Sequence, residues 1–339
     1  MRIKALALVL CFTFLAGAAW AKNGGGIVTY TVNLETGGKA KTARLWLPYP
    51  LSDRNQAIAD VQVSGNYQAS GVYHDPASGA NYLFADWKQV TAQPHLTMSF
   101  HVDSHYAKLP ALKDSKDPFP AEVLKYLESS EFIPAASDEF KQIAAEATKG
   151  KKGLLAKARG VYDWVVEHTF RDPDVKGCGL GSASRTLNDC KGGGKCADIS
   201  AVFVAALRAA GIPARDVYGL RLADPKTGDI TSGYHCWAEF YLPGAGWVPA
   251  DPADVRKMML VHKLELGDPQ TKEWREFFWG GDDLFRIALN RDSRGVVFSP
   301  KQEGLDVAYF MYPFAQVDGG TLNYFDPKGF SYSVSFTLD

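Results

Sequence analysis

The stretch that decides the fold covers residues 188–252 and reads NDCKGGGKCADISAVFVAALRAAGIPARDVYGLRLADPKTGDITSGYHCWAEFYLPGAGWVPADP. Apolar residues recur every three to four positions after the glycine run, which predicts a helix that ends at Gly211. Residues 235–242 read as a strand, and the glycines after them predict a turn into a return strand at 247–252. The stretch therefore predicts a helix packed against an antiparallel hairpin.

Cys196 lies at the beginning of the predicted helix, just after the glycine run that ends at Gly194. The unpaired N–H groups and the dipole at a helix N-terminus favour a thiolate and lower the pKa of a cysteine. The same N–H groups can bind a developing oxyanion. Because glycine permits close approach of a backbone, Gly194 is a candidate for the substrate cleft. A small buried cysteine that packs a helix end is the alternative interpretation.

A histidine and an aspartate on the hairpin complete a candidate catalytic set. His235 and Trp237 share one face of the first strand, and Asp251 lies in the return strand. A carboxylate beside an imidazole fixes its tautomer and orients the ring. If Leu242 pairs with Trp247, however, Asp251 faces the wrong side, so the arrangement requires a bulge or a different pairing register.

The three residue types predict nucleophilic chemistry. Cys196 is the candidate nucleophile, His235 the base and Asp251 the orienting acid. A thiolate–imidazolium pair attacks an amide or ester carbonyl to form a thioester, and the acyl group then passes to an amine or to water. Trp237 and Trp247 flank this candidate site and are candidates for cleft walls that shield the thiolate.

Three separated motifs in this order resemble the transglutaminase-like core domain of the papain-type cysteine superfamily. The matching residues are Gly194-x-Cys196-x-Asp198, AALRAAGIPAR at 205–215, His235-x-Trp237-x-Glu239, Gly246-Trp247-Val248 and Asp251-Pro252. The resemblance covers roughly residues 150–255 and implies an α+β fold in which the cysteine helix packs on an antiparallel sheet. It also implies the same three catalytic roles, and a peptide or protein substrate that bears an amide group. No cofactor is expected.

One feature of the superfamily has no clear counterpart in this chain. Its members often supply a second oxyanion donor from a Gln or Trp side chain upstream of the cysteine. No Gln lies between Lys151 and Cys196, and Trp164 and Asn188 are the alternatives there, so the second donor stays open.

The remaining cysteines suggest a crosslink. Cys178 and Cys190 flank eleven residues of a Gly/Ser-rich loop, which makes them a candidate disulfide in an oxidising compartment. Closing so short a loop is worth roughly 2–3 kcal/mol in the chain-entropy model. A metal site built from Cys178, Cys190, Cys196 and Cys236 or His235 is the rival interpretation. Because no C-x2-C pair is present, we expect no metal site.

The N-terminus is typical of a secretory signal peptide. Residues 1–21, MRIKALALVLCFTFLAGAAWA, combine a basic start, an apolar run and a small-x-small cleavage site after Ala21. A membrane anchor is the alternative, but its apolar run falls short of the ~20 residues that span a bilayer. No later segment is long and apolar enough to cross, so we expect an exported protein, periplasmic or secreted, with no membrane span in the mature chain.

The rest of the chain divides by its pattern. Residues 22–105 contain short alternating strands, which predict an N-terminal β-sandwich-like domain. Proline-rich residues 106–136 are the predicted linker, and residues 137–260 are the predicted catalytic core. Residues 261–339 are predicted to form a helix and β-strands that complete the core. The Trp46-Leu47-Pro48-Tyr49-Pro50 strand resembles one in the β-rich N-terminal part of exported members of the superfamily.

Composition narrows the function classes. The 339 residues are 46% hydrophobic and 22% charged with a net charge of −1, so the chain is globular and wholesale disorder is excluded. Without a basic stripe to meet phosphates, nucleic-acid binding is not expected. A cysteine-dependent enzyme acting on amide bonds is therefore the leading hypothesis. The alternative is a non-catalytic cell-envelope binding module on the same scaffold.

Overall fold

A computed structural model describes residues 24–105, 109, 111–222, 228–281, 285–304, 306–324 and 330–339. The predicted signal peptide at residues 1–21 lies outside the described residues. Among the helices that are described, none is long and apolar enough to cross a membrane.

The helices belong mainly to the middle of the chain. Those in the described residues are α1 (Asp138–Ala147), α2 (Leu154–His168), α3 (Ala183–Asn188), α4 (Cys196–Ala209), α5 (Pro252–His262) and α6 (Pro269–Phe277), with 3₁₀ helices at Ala121–Leu127 and Thr231–Gly233.

The strands lie at both ends of the chain as well as in its middle. They are β1 (Gly24–Leu34), β2 (Ala43–Pro48), β3 (Gln56–Gly65), β4 (Ala69–His74), β5 (Asn81–Trp87), β6 (His95–Ser104), β7 (Phe170–Arg171), β8 (Gly193–Gly194), β9 (Ala214–Arg221), β10 (Gly228–Asp229), β11 (Tyr234–Leu242), β12 (Gly246–Ala250), β13 (Arg286–Arg291), β14 (Arg294–Val296), β15 (Val307–Tyr309), β16 (Phe314–Val317), β17 (Gly320–Thr321) and β18 (Phe330–Leu338).

The N-terminal strands form two antiparallel sheets, ordered β10-β18-β1-β6-β3 and β17-β16-β2-β5-β4. Alternate residues of each strand, such as Val28, Tyr30 and Val32 of β1, point into one shared hydrophobic cluster with Leu45 and Leu83 of the second sheet. This alternation is the pattern that predicts a sandwich-like arrangement of short strands.

The C-terminal segment is divided between two parts of the fold. β13 pairs with β9 in the four-stranded sheet β12-β11-β9-β13, whereas β18 pairs with β1, and β16 pairs with β2. The expectation that residues 261–339 complete the core is therefore wrong for the last strands. These strands complete the N-terminal sheets, and Phe330, Val334 and Phe336 of β18 point into the hydrophobic core there.

Helix α4 lies at the centre of the middle region. It packs on β9 and β11 and also contacts α1, α2, α3 and α5. Every residue from Cys196 to Arg208 is buried, so the helix is enclosed around its whole circumference rather than along one stripe. A helix enclosed in this way gives its first residue a fixed position.

The N-terminal sheets are hydrogen-bonded to the central sheet through buried polar side chains. Gln56 of β3 donates from Nε2 to the carbonyl oxygen of Ala288 at 2.9 Å, and its Oε1 accepts from the Ala288 N–H at 2.8 Å. Ser104 of β6 donates to the carbonyl oxygen of Arg286 at 3.0 Å. A side chain amide therefore takes the place of a neighbouring strand along the edge of β13.

We expect Gln56→Ala to lower the free energy of unfolding by about 2–3 kcal/mol, because it leaves the buried N–H and C=O of Ala288 unpaired. Gln62 is exposed on the same strand, and Gln62→Ala should change stability by less than about 0.5 kcal/mol. Urea denaturation of both variants measures the difference. Equal stability of the two variants would show that the Gln56 contacts do not hold β13.

Candidate active site

The nucleophile candidate is the first residue of α4, and an aspartate two residues on fixes the loops around it. The Asp198 carboxylate accepts from the Lys195 N–H at 3.0 Å and from the Gly181 N–H at 2.8 Å. A Cβ on Gly194 would lie 2.5 Å from Cβ of Asp198, so only glycine fits there. Gly194 thus admits the Asp198 side chain, and this contact explains the glycine without a substrate. The buried Asp198 joins two loops to the helix that begins at Cys196.

His235 and Asp251 meet as the sequence predicts. His235 Nε2 lies 2.7 Å from Oδ2 of Asp251, and each residue is only 2% exposed. The hairpin register is Leu242 with Gly246 and Ala238 with Ala250. It is one residue away from the Leu242–Trp247 pairing, so Asp251 falls on the face of the strand that carries His235. A different register, and not a bulge, brings the pair together.

The Asp251 carboxylate is held on both oxygens. Asp251 is the N-cap of α5, and its Oδ1 accepts from the Asp254 N–H at 2.9 Å. Its Oδ2 also accepts from Arg286 at 3.1 Å. These contacts leave the carboxylate one orientation, toward the imidazole.

Two arginines and a second carboxylate surround the pair, and sequence reasoning missed all three. Asp254 lies 3.6 Å from His235 Nε2, and Arg221 donates to Asp254 at 2.6 Å. Asp254 is the third residue of α5, three positions after the N-cap Asp251. A carboxylate three residues after an N-cap aspartate is a pattern that the sequence shows. Arg286 comes from a strand 35 residues beyond Asp251, and nothing in the sequence connects the two.

This network sets the protonation of His235. Burial and Arg221 lower the pKa of the imidazole, but Asp254 and Asp251 outweigh them and raise it above its ordinary value. Burial raises the pKa of Asp254, yet His235, Arg221 and Arg286 together hold it far below its usual range. The arrangement therefore favours a protonated His235 beside the carboxylates of Asp251 and Asp254.

The environment of Cys196 favours a thiolate. Burial opposes ionisation, but hydrogen bonds from the thiols of Cys178 and Cys236, together with the hydrogen bond and charge of His235, bring its pKa well below the usual range. Because His235 Nε2 faces Asp251, Nδ1 is the ring nitrogen that remains for the sulfur. The arrangement suits the predicted roles of Cys196 as nucleophile, His235 as base and Asp251 as orienting acid.

The candidate disulfide is not formed. Cys178, Cys190, Cys196 and Cys236, the cysteines of the described residues, are all free. The Cys178, Cys196 and Cys236 sulfurs lie within 4.8 Å of one another, whereas Cys190 is outside that group. The Cys178 carbonyl oxygen accepts from the Ala197 N–H at 2.9 Å, which holds Cys178 against the start of α4.

The two tryptophans predicted as cleft walls differ in position. Trp237 is fully buried beside His235, with ring centroids 5.9 Å apart, so it supports the imidazole from within the protein. Trp247 pairs with Tyr241, six residues along β11 from His235, a separation of about 20 Å. It stacks on the guanidinium of Arg215 at 3.9 Å instead. The prediction that Trp247 shields the thiolate is wrong, because the strand carries it away from the site.

One group of possible metal ligands in the described residues includes His235 and Asp251 themselves. His235, Asp251 and Asp254 offer ligand atoms within 4.8 Å of one another, but Arg221 and Arg286 already neutralise both carboxylates. His101, Asp103 and Asp339 form another such group at the surface, where His101 pairs with Asp339 at 3.0 Å. The cysteine group is the third.

Helix, sheet and site together define an α+β protein with a buried Cys-His-Asp arrangement, and comparison with known proteins gives its family. Residues 141–252 match the transglutaminase-like superfamily. A Haemophilus influenzae relative, described only as an uncharacterized protein, is 32% identical over 328 residues, which cover 90% of this chain and 88% of the relative. The chain belongs to the transglutaminase-like superfamily.

One solved structure shows the same fold. A Cytophaga hutchinsonii protein described as a candidate cysteine protease superposes with a TM-score of 0.54 at 14% identity, covering 94% of this chain and 99% of that one. The periplasmic domain of TgpA from Pseudomonas aeruginosa is similar at a TM-score of 0.36 and 16% identity, over 73% of this chain and 92% of that domain. The first of these supports an α+β fold along nearly the whole chain.

The lowered pKa of Cys196 predicts how the rate of its alkylation depends on pH. We expect iodoacetamide to alkylate Cys196 at pH 6 nearly as fast as at pH 8, because its lowered pKa keeps the sulfur ionised until the pH falls below that value. His235→Ala removes the cation that favours the thiolate, so the midpoint of the rate should rise toward about 8.5, the ordinary thiol value. Peptide mass spectrometry after timed alkylation measures each cysteine separately.

The matched control for this measurement is His74→Ala, which removes an exposed histidine of the N-terminal sheets. It should leave the Cys196 profile unchanged. A Cys196 rate that rises only above pH 8 in the unmodified protein would contradict the thiolate.

Proposed function

We propose that this protein is an exported, cysteine-dependent enzyme that acts on amide bonds through a thioester at Cys196. The observation that carries the proposal is the 2.7 Å contact between His235 Nε2 and Asp251. The pKa of the Cys196 thiol at the beginning of α4, which His235 helps to lower, supports it. Family membership supports a cysteine-dependent enzyme, and the amide substrate follows from the chemistry of the site.

The first half of the reaction forms the acyl-enzyme. The Cys196 thiolate attacks the carbonyl carbon, and the oxygen becomes an anion that faces the positive end of α4. The tetrahedral intermediate collapses, the C–N bond breaks, and the imidazolium of His235 gives its proton to the leaving amine. The Asp251 carboxylate holds the ring in place throughout, and the product is a thioester.

The second half uses the same groups in reverse. Neutral His235 takes a proton from water or from a primary amine as that nucleophile attacks the thioester. The C–S bond then breaks, and the thiolate–imidazolium pair is restored. Hydrolysis and acyl transfer therefore share one machinery, and the acceptor that reaches the thioester decides between them.

Export is the second part of the proposal. The pattern of residues 1–21 supports it, and cleavage after Ala21 would give a chain that begins at Lys22. N-terminal sequencing of the protein recovered from the cell envelope or medium tests the cleavage site, and an intact Met1 would argue against it.

Catalysis can be tested with an activated ester. We expect p-nitrophenyl acetate to acetylate Cys196 with a burst of p-nitrophenol, because the thioester forms faster than it is hydrolysed. Cys196→Ala should abolish the burst. Asp251→Asn keeps a residue that can cap α5 but removes the charge that orients His235, so kcat/KM should fall on the order of 100- to 10,000-fold.

Cys190→Ala and Asp189→Asn are the matched controls, because both residues lie outside the catalytic set and Asp189 is exposed. Both should retain the wild-type burst. Equal reaction of wild type and Cys196→Ala would reject the enzyme and favour a non-catalytic envelope module.

The fate of the thioester separates the two enzyme classes. We expect a glutamine-containing peptide incubated with a fluorescent primary amine to react only when Cys196 is present. Incorporation of the amine into the peptide identifies an acyl transferase. Release of ammonia with no incorporation, or cleavage of the peptide backbone, identifies a hydrolase. Mass spectrometry of the peptide distinguishes these products.

A further inference from the structure

Three thiols meet at the beginning of α4, although they come from three distant segments of the chain. Cys178 lies in the loop before α3, Cys196 begins α4, and Cys236 lies in β11. Their sulfurs are within 4.8 Å of one another, and all three residues are buried. The catalytic proposal uses only one of them as a nucleophile.

We propose that Cys178, Cys196 and Cys236 form a binding site for a soft, thiophilic metal ion, and that Cu(I) is the ion that fits it. This group of three residues is called the thiol site below.

The spacing of the sulfurs suits such an ion. An ion with metal–sulfur bonds of about 2.3 Å holds three sulfurs about 4 Å apart when it lies in their plane. Sulfurs that are at most 4.8 Å apart need to move by less than about 1 Å to reach that geometry. Side-chain rotation alone covers such a distance, so the backbone does not have to change.

The surroundings of the thiol site select a soft ion. Met311 places a fourth sulfur next to it, with Sδ 3.7 Å from Sγ of Cys236. Thiolate and thioether ligands favour Cu(I), whereas carboxylate and carbonyl oxygens favour Mg²⁺ or Ca²⁺. Within the described residues, the carboxylates of Asp251 and Asp254 are engaged by Arg221 and Arg286. The Tyr234 carbonyl oxygen also lies at the site, where it accepts from the Cys178 thiol at 3.4 Å. Sulfur atoms nevertheless outnumber oxygen among the ligands that the described contacts place there.

The backbone holds the three cysteines before any ion arrives. The Cys178 carbonyl accepts from the Ala197 N–H at 2.9 Å, which fixes it to α4. Cys236 is opposite Tyr218 in the antiparallel pair of β11 and β9. A site assembled by helix and sheet contacts loses little conformational entropy when it binds.

Binding is a ligand exchange without electron transfer. Cu(I) forms three bonds to sulfur, and each cysteine that enters the site as a thiol releases its S–H proton to solvent as its sulfur becomes a thiolate ligand. The ion takes the sulfur lone pair that would attack a carbonyl. Occupancy and acylation of Cys196 are therefore mutually exclusive. This consequence rests on the proposed function, whereas the binding itself does not.

The experiment is a Cu(I) titration of the purified, reduced chain under anaerobic conditions, in competition with bicinchoninate. We expect one Cu(I) per chain and a thiolate-to-metal absorption band in the ultraviolet. Cys178→Ala and Cys236→Ala should each weaken binding by more than about 100-fold, which exceeds the effect of losing an outer-shell partner. The control Cys190→Ala removes a cysteine outside the thiol site and should bind like wild type.

A second measurement on the wild-type protein guards against a variant that fails to fold. Cu(I) should protect Cys196 from iodoacetamide, and a chelator should restore alkylation. Absence of Cu(I) binding, unchanged binding in folded Cys178→Ala, or loss of binding in Cys190→Ala would each overturn the proposal. So would a metal-free chain whose mass shows a disulfide between two of the three cysteines under these reducing conditions.

The two proposals fail in different ways. A chain that binds Cu(I) at the thiol site but gives no acyl-enzyme retains the metal site and loses the proposed catalysis. A chain that forms the acyl-enzyme but binds no Cu(I) retains catalysis and loses the metal site.

Discussion

Charge balance around His235 is the constraint on which the rest of the site depends. Asp251 and Asp254 bring two negative charges to the buried imidazole, and Arg221 and Arg286 bring two positive ones. These four charges sum to zero without the imidazole, so protonation of His235 adds a charge that a Cys196 thiolate would cancel. Buried charges are costly unless they are paired. The thiolate–imidazolium pair is therefore the state that leaves the whole network neutral, and removal of any single member would leave a buried charge uncompensated.

The N-terminal sheets contribute to this network although they carry none of the catalytic residues. Arg286 lies on β13, whose far edge meets Gln56 and Ser104 rather than another strand. Strand β18 pairs with β1 and so belongs to the sheet that contains β3 and β6. The last strand thus pairs with the first described strand, in the sheet whose Gln56 and Ser104 hold β13 and therefore Arg286 beside Asp251. The folded unit is therefore larger than residues 141–252, which match the superfamily.

The α+β class, the cysteine helix and the hairpin could be predicted because each is encoded by neighbouring residues. The meeting of His235 with Asp251 needed a register that the sequence leaves open, since Leu242 can face either Gly246 or Trp247 across the turn. The structure selects Gly246. The same one-residue choice decides which face of the return strand meets His235. The positions of Arg286 and Arg221, like the pairing of β18 with β1, depend on contacts between segments that are far apart in the chain. No pattern of neighbouring residues predicts such contacts. Trp247 was misplaced for a related reason, because nearness in the chain to Asp251 does not mean nearness to Cys196.

The spacing of the cysteines in the sequence likewise does not predict which of them lie together in the fold. The short loop between Cys178 and Cys190 favours a disulfide between them. In the structure, however, the carbonyl group of Cys178 is hydrogen-bonded to the beginning of α4, and its sulfur lies near those of Cys196 and Cys236. Hydrogen bonding to the Cys196 thiolate raises the pKa of Cys178, and burial does the same for Cys236, so both remain neutral donors beside the anion. Two neutral thiols next to one thiolate stabilise the nucleophile when the site is empty. A soft cation that displaces their protons converts the same donors into ligands. One set of contacts therefore supports both the reactive sulfur and the ion that would occupy it.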